Sequence, residues 1–410
     1  MAKLFASVLM SYLAASACNS AAVEMAIKAK GELLLQKTEP EALVNKAWFN
    51  GGSGQLTYNS ALLNLAPQYL SIDAATDSAF SARVHAQWHA QPEAGVSVTE
   101  AWLNWAPLPV SGYRWRGRLG YFYPQMSLEN TDTAWTSPYS STFSAINSWV
   151  AEEVRARGAE LSLSRPGHFF KSNHSVSALI GVFEGNDPAG TLLAWRGFAL
   201  HNLQTGLGER INFADYPSLQ AGGLALQSPW VEPTRELDHR RGFYVGAHWQ
   251  YQQRTELRLY YYDNNADPLV FSHQQYAWHT RFASMALRHN LNEEWQLLAQ
   301  WLQGDTLMGP GAVDADFAAW FVLAHWQRAP YSLTLRYDDF SVTDNDLTAN
   351  DDNNGKGSAW LFALSYQLSA HFSLSVEHIA LQSQQQNRQQ WSWPVSQPQS
   401  VSKLVLTWRW

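Results

Sequence analysis

The chain has 410 residues, 35 acidic against 28 basic side chains, a net charge of −7 and one cysteine, Cys18. The acidic balance offers no basic footprint for nucleic acid, and a single cysteine in the N-terminal leader leaves the rest of the chain without disulfides, thiolate nucleophiles or cysteine metal sites. Mean hydropathy is −0.29 although aromatics make up 13% of the residues, and past the leader no apolar run reaches the ~18 residues of a helical membrane span.

Residues 1–22 read as a secretory signal peptide. Lys3 is the basic n-region, Leu4 to Leu13 the apolar h-region, and Ala14 to Ala22 the small residues that a cleavage site needs. The cut is expected near Ala21 or Ala22. A cut after Ala17 also fits, but lipid on Cys18 is disfavoured because Ala15 stands where a branched apolar residue belongs. From residue 26 onward, short segments alternate apolar and polar residues with the period of a strand. In chain order they are 26–36, 56–66, 79–90, 97–106, 113–123, 157–165, 175–183, 241–252, 255–263, 276–290, 294–303, 316–328, 331–340, 358–368, 372–382 and 400–410. The clearest alternations set Phe243, Val245, Ala247 and Trp249 against Tyr244, Gly246, His248 and Gln250. Others set Trp360, Phe362 and Leu364 against Ala363 and Ser365, and Leu404, Leu406, Trp408 and Trp410 against Lys403, Thr407 and Arg409.

A polar average with abundant Trp and Tyr, carried on alternating strands of even number, predicts an all-β protein. The expected architecture is a transmembrane antiparallel β-barrel of about 16 strands over residues 23–410. The connections agree. Gln253-Arg254, Asn292, Ala329-Pro330 and Ala370 are tight, and between them lie longer polar segments at 264–275, 304–315, 341–357 and 383–399. Two more, 124–156 and 184–240, are longer still. Tight turns on the periplasmic side and long loops outside are the pattern of an integral barrel in the Gram-negative outer membrane. Asn265 and Asn353 then lie outside and Arg254 inside, and the expected surroundings are lipid and lipopolysaccharide. The last strand, ending on Trp410, should close the sheet and serve as the signal for the barrel-assembly machinery.

The segment 124–156 is too rich in Trp, Tyr, Phe and Ile to be merely solvated. It is expected to fold into the lumen as a constriction, carrying Glu129, Asp132, Glu152 and Glu153; an outer lid or subunit contact is the alternative. Arg114, Arg116 and Arg118 project from one face of a strand, about 7 Å apart, and facing lipid would cost about 2–4 kcal/mol each near the midplane. They are therefore expected in the lumen, with Arg83 and Arg258 on further polar files, as either an anion-favouring wall or an ordinary charged wall balanced by Glu100, Glu160 and Glu377. The Asp- and Asn-rich stretch 341–357 starts like a calcium loop but has Leu361 where the last ligand should be Glu. His85 and His89 are about 13 Å apart on a strand, too far for one metal. There is no G-x-S-x-G motif, and a barrel hydrolase would need Ser and His on neighbouring strands.

The stretch from Glu100 to Glu129, EAWLNWAPLP…RWRGRLGYFYPQMSLE, resembles porins of the phosphate-selective type in Gly120, Phe122, Leu128 and Glu129, with Pro124 displaced. The resemblance implies a sixteen-stranded trimeric channel. Phosphate binding in that type rests on lysines in the constriction loop, and 124–156 has none, so that selectivity is not carried over. The expected function is passive diffusion of small hydrophilic solutes or ions, with no cofactor, no metal and no catalysis. The alternatives are a substrate-specific channel for an anion, sugar or aromatic acid, a barrel enzyme, and a structural barrel with a blocked lumen. Pore lining is expected from Arg83, Glu100, Arg114, Arg116, Arg118, Glu129, Asp132 and Arg258.

Overall fold

The computed structural model describes residues 23–39, 52–56, 62–90, 94–220, 224 and 226–410; the expected leader, with Cys18, lies outside them. One sheet closes on itself. Its strands are β1 (Val23–Glu39), β2 (Leu62–Leu65 continued by Gln68–Thr76), β3 (Phe80–His89), β4 (Gly95–Trp105), β5 (Arg114–Phe122), β6 (Ala156–Arg165), β7 (His174–Glu184) and β8 (Gly242–Tyr251). They continue as β9 (Thr255–Asp263), β10 (His279–Asn290), β11 (Trp295–Met308), β12 (Val313–Arg328), β13 (Tyr331–Asp344), β14 (Gly355–Gln367), β15 (Phe372–Gln385) and β16 (Ser396–Arg409). Every neighbour is antiparallel, and β16 returns to β1 with Trp408 opposite Gly31 and Lys403 opposite Gln36. Ala29 and Trp410 exchange backbone hydrogen bonds of 3.1 and 2.9 Å, sealing the seam at the last residue. Counting the two segments of β2 as one strand makes sixteen.

Two expectations shift. The second strand was placed at 56–66, whereas the pairing runs from Leu62 to Thr76 around a bulge at Ala66-Pro67. Register moves by one residue there, from Leu33 opposite Leu65 to Lys30 opposite Tyr69. Pro67 has no N–H for a ladder, and the Gln68 side chain stands in by donating to the Glu32 carbonyl at 3.2 Å. The loop expected at 304–315 is a four-residue turn, 309–312, with Gly309 and Gly311 at φ 65° and 73°. The strands on either side run on past the apolar belt, where Asp305 faces Asp316 and pairs with Arg281 at 2.9 Å, so polar residues in a ladder imitate a loop.

Alternation separates two environments. On β14, Trp360 and Phe362 are 54% and 43% exposed, while Ala359 and Leu361 between them are 1% and 0% exposed. The exposed face is the apolar one, the reverse of a water-soluble sheet, and it is rimmed by rings. Trp320, Tyr337 and Trp360 follow one another at 5.4 and 4.8 Å toward the long-loop rim, and Tyr331 meets Tyr366 at 5.1 Å near the other. Such girdles mark the two edges of a bilayer.

Candidate functional site

The segment 123–155 between β5 and β6 folds inward. It holds helix α1 (Ala145–Glu153), begun by Ser144, whose hydroxyl accepts from the Asn147 N–H, and all nine helical residues are buried. A helix buried on every side needs neighbours all round it, and the lumen wall supplies them. Trp149 meets Phe282 of β10 at 5.3 Å, Phe317 of β12 at 5.2 Å and Phe198 at 6.3 Å. Phe198 belongs to the second long connection, 185–241, which also enters the barrel. Its short helix α2 (Thr191–Trp195) is fully buried, with Trp195 against Trp278 at 5.3 Å and Phe213 at 5.1 Å.

Charges seat these loops. Arg336 of β13 donates to Glu129 at 2.8 Å, to Asp338 at 2.7 Å and to the Thr142 and Phe143 carbonyls at 2.9 and 2.8 Å. Glu129 accepts from the Ser144 hydroxyl at 2.6 Å and Asp338 from the Ala145 N–H at 3.0 Å, so both carboxylates lie at the N-terminus of α1, where the helix favours negative charge. Lower on the wall, Glu377 accepts from the Thr142 hydroxyl at 2.6 Å and from Lys403 at 3.1 Å.

At the other end of α1 the two loops are joined. Glu152 takes Arg196 bidentately at 3.0 and 2.7 Å, and His201 Nε2 lies 3.1 Å from it. Glu153 accepts from the Trp149 indole at 2.6 Å and from the Gly190 and Leu192 N–H groups at 3.1 and 3.0 Å, capping α2. Burial alone would raise Glu152, but Arg196 and His201 outweigh it and hold its carboxyl below the ordinary range. Burial pushes Glu153, which lacks a cation of its own, up to about 7, with the charge of Glu152 adding to the rise.

The sequence-predicted residues divide between wall and vestibule. Arg114, Arg116 and Arg118 share a face as expected, opposite Ser164, Ser162 and Glu160. Arg118 is buried in a bidentate pair with Glu160 at 2.9 and 2.7 Å, and Glu160 also takes the Tyr244 hydroxyl at 2.8 Å. Arg114 and Arg116 are exposed toward the short-turn rim. Glu100 lies 2.7 Å from His85 and accepts from the Tyr123 N–H at 3.0 Å. Arg83 pairs with Asp73, and Asp132 with Lys30 at 3.2 Å and Arg409 at 3.3 Å. Arg258 bonds Glu256 at 2.8 Å and the Ser127 carbonyl at 2.9 Å, beneath the inner loop. Glu129 was expected to face passing solutes; it is fully buried under Arg336, because α1 packs into the wall instead of standing away from it. Arg336, Asp338, Arg196 and His201 are not among the expected pore-lining residues. Strand alternation places Arg336 and Asp338 on the inner face, but nothing local reveals partners about 190–210 residues away.

Each of the sixteen strands carries at least one buried inward side chain, from Thr38, Tyr69 and Glu100 round through Tyr244, Leu302 and Phe317 to Ile379 and Val401. Toward the short-turn rim the wall is wet, with Arg83, Arg258 and Arg288 half-buried and Arg114 and Arg116 exposed. The closed sixteen-stranded barrel is an arrangement found among solved structures. The outer membrane channel DcaP of Acinetobacter baumannii superposes with a TM-score of 0.55 at 10% identity, over 95% of this chain and 97% of that one. The anion-selective porin from Comamonas acidovorans gives 0.53 at 10% identity, over 95% and 100%. The trimer form of OmpT, an outer membrane protein of Vibrio cholerae, gives 0.53 at 8% identity, over 95% and 100%. The fold is that of the outer-membrane porins. No protein-family model and no curated protein matches the sequence. In this chain the second loop joins the first inside the lumen, and the two share one apolar core.

Proposed function

We propose that this chain is an exported outer-membrane channel for small hydrophilic solutes, cut near Ala21 or Ala22, whose two inner loops form a plug that must shift for solutes to pass. The observation that carries this is the contrast within one lumen: a polar vestibule on the short-turn side, and an apolar core sealed by paired charges at the level of the loops. Solute preference would be set by Arg83, Arg114, Arg116 and Arg258 together with Arg288, against Asp73 and Glu256, which favours anions. Glu129 and Asp132 act in this reading as anchors of the plug. The trimer form of the Vibrio protein supports a homotrimer in the membrane, surrounded by lipid and lipopolysaccharide. The sealed ring of inward side chains favours a second reading, a structural barrel that never conducts. Single-channel recordings in planar bilayers separate the two. A channel gives discrete steps whose frequency rises when residues 131–153 are deleted; a structural barrel with a permanent seal gives none from the full chain at any voltage.

A further inference from the structure

We infer that the loop between β15 and β16 carries a binding platform for neutral glycans, built on Trp391 and Trp393. Residues 382–399 hold eight glutamines, two tryptophans and one ionisable side chain, Arg388. Arg388 is fully buried, donating to the Val395 carbonyl at 2.8 Å and the Ser383 hydroxyl at 3.1 Å, so the outward surface of this loop is uncharged. The setting differs from the loop between β13 and β14, which carries Asp346, Asp351 and Asp352.

The aromatic geometry is that of a stacking surface. Ser392 adopts φ 58°, and this fold-back brings the Trp391 and Trp393 rings to 4.9 Å at 23°. Tyr216 lies behind Trp391 at 4.9 Å, and its hydroxyl donates to the Trp195 carbonyl at 2.8 Å, fixing the ladder to the plug. The Trp391 indole donates to the Asp215 carbonyl at 3.1 Å, which sets its plane. Rings serving only as packing are sealed, as Trp195 and Trp278 are; Trp391 and Trp393 stay partly exposed. Around them stand the exposed Gln389, the partly exposed Gln386 and the exposed Asp215.

A sugar ring offers an apolar C–H face to an indole, and hydroxyls to amides, which donate and accept, and to a carboxylate, which accepts. An anionic glycan would meet Asp215 and no accessible cation on this loop. The platform is on the outer rim and is read by binding, so an open or a closed pore leaves its test unaffected.

The test is calorimetric titration of the full barrel, folded in a detergent without a sugar head group, with maltohexaose, cellohexaose and laminarihexaose as probes. Saturable binding of at least one is expected. It should weaken by about tenfold to a hundredfold in the W391A/W393A variant, since each of the two rings contributes up to about a factor of ten. W391F/W393F should retain part of it, because a phenyl ring still stacks. Heat-modifiable electrophoretic mobility shows that each variant is folded. Absence of saturable binding to all three probes, unchanged affinity in folded W391A/W393A, or tighter binding of a sulfated glycan would overturn the proposal.

Discussion

Replacing Arg196 by Met should unlatch the plug while leaving the barrel intact. The change removes the bidentate partner of Glu152, whose side chain is 1% exposed, and leaves His201 at 3.1 Å as the remaining contact. Two unit charges about 4 Å apart attract by about 4 kcal/mol at an effective dielectric of 20, and removing one member of a buried pair costs about 3–5 kcal/mol, because the other stays behind uncompensated. At about 1.4 kcal/mol per tenfold, the closed-to-open ratio should fall by roughly two to three and a half decades. The wall strands contribute neither residue, so the heat-modifiable gel shift should be that of wild type. Single-channel open probability is the readout. The double variant E152Q/R196M is the control: with both charges gone no ion is stranded, and closure should return most of the way, giving a large coupling energy in the cycle. If the single variant folds and opens no more often than wild type, the pair does not hold the plug and the reasoning fails.

Opening should also depend on pH. Glu153 titrates near 7 in the seated plug and near the ordinary carboxylate value once released, so the seated form binds a proton that the released form does not between those limits. Its contribution to closure is complete at low pH and is lost as pH rises toward 7. Open probability should therefore climb over that window, and Glu153→Gln should flatten the climb. Below the window the depressed carboxyl of Glu152 acts in the opposite sense, its contribution disappearing as acid protonates it. Trp149→Ala, which empties the centre of the core among Phe198, Phe282 and Phe317, should loosen the plug by about 3–5 kcal/mol, seen as protease sensitivity of residues 123–155 in an otherwise folded barrel. Replacing Arg114 and Arg116 by Ala should move reversal potentials across a salt gradient toward cations, with a smaller shift at high salt; unchanged potentials would make them wall structure only. A tag at Asn265 should be reached by antibody on intact cells and one at Arg254 should not. In the loop 345–354 the tag belongs at Leu347, 98% exposed, since Asn353 is buried at 2%.

What the sequence made legible follows from the two solvents of a membrane barrel. Lipid outside and polar lumen inside impose the period of two that exposes β5, β6, β8 and β9 to within one residue at either end. Where either solvent is replaced, the signal fades. β12 is apolar on both faces because Phe317, Phe321 and Leu323 meet the plug while Trp320 and Val322 meet lipid. β2 is interrupted by Pro67, and the extended ends of β11 and β12 are polar because they stand clear of the membrane. The inward course of 123–155 was readable from its excess of aromatics. Its anchoring was not, since Glu129–Arg336, Glu152–Arg196 and Glu377–Thr142 join segments 207, 44 and 235 residues apart. Composition cannot specify such pairs.

The core around Trp149 gives this barrel an internal strut. A wall held only by its own ladder keeps its cross-section through backbone bonds and the lateral pressure of the bilayer. Here Phe282, Phe317 and Phe340 press from the wall on Trp149 and Phe198 within. The cross-section is therefore propped from inside, much as a spoked hub keeps a rim round. Such a barrel should keep its outline when it is moved into micelles or thin bilayers that would let an empty one flatten, and the same strut ties any change in the plug to the curvature of the strands that bear on it.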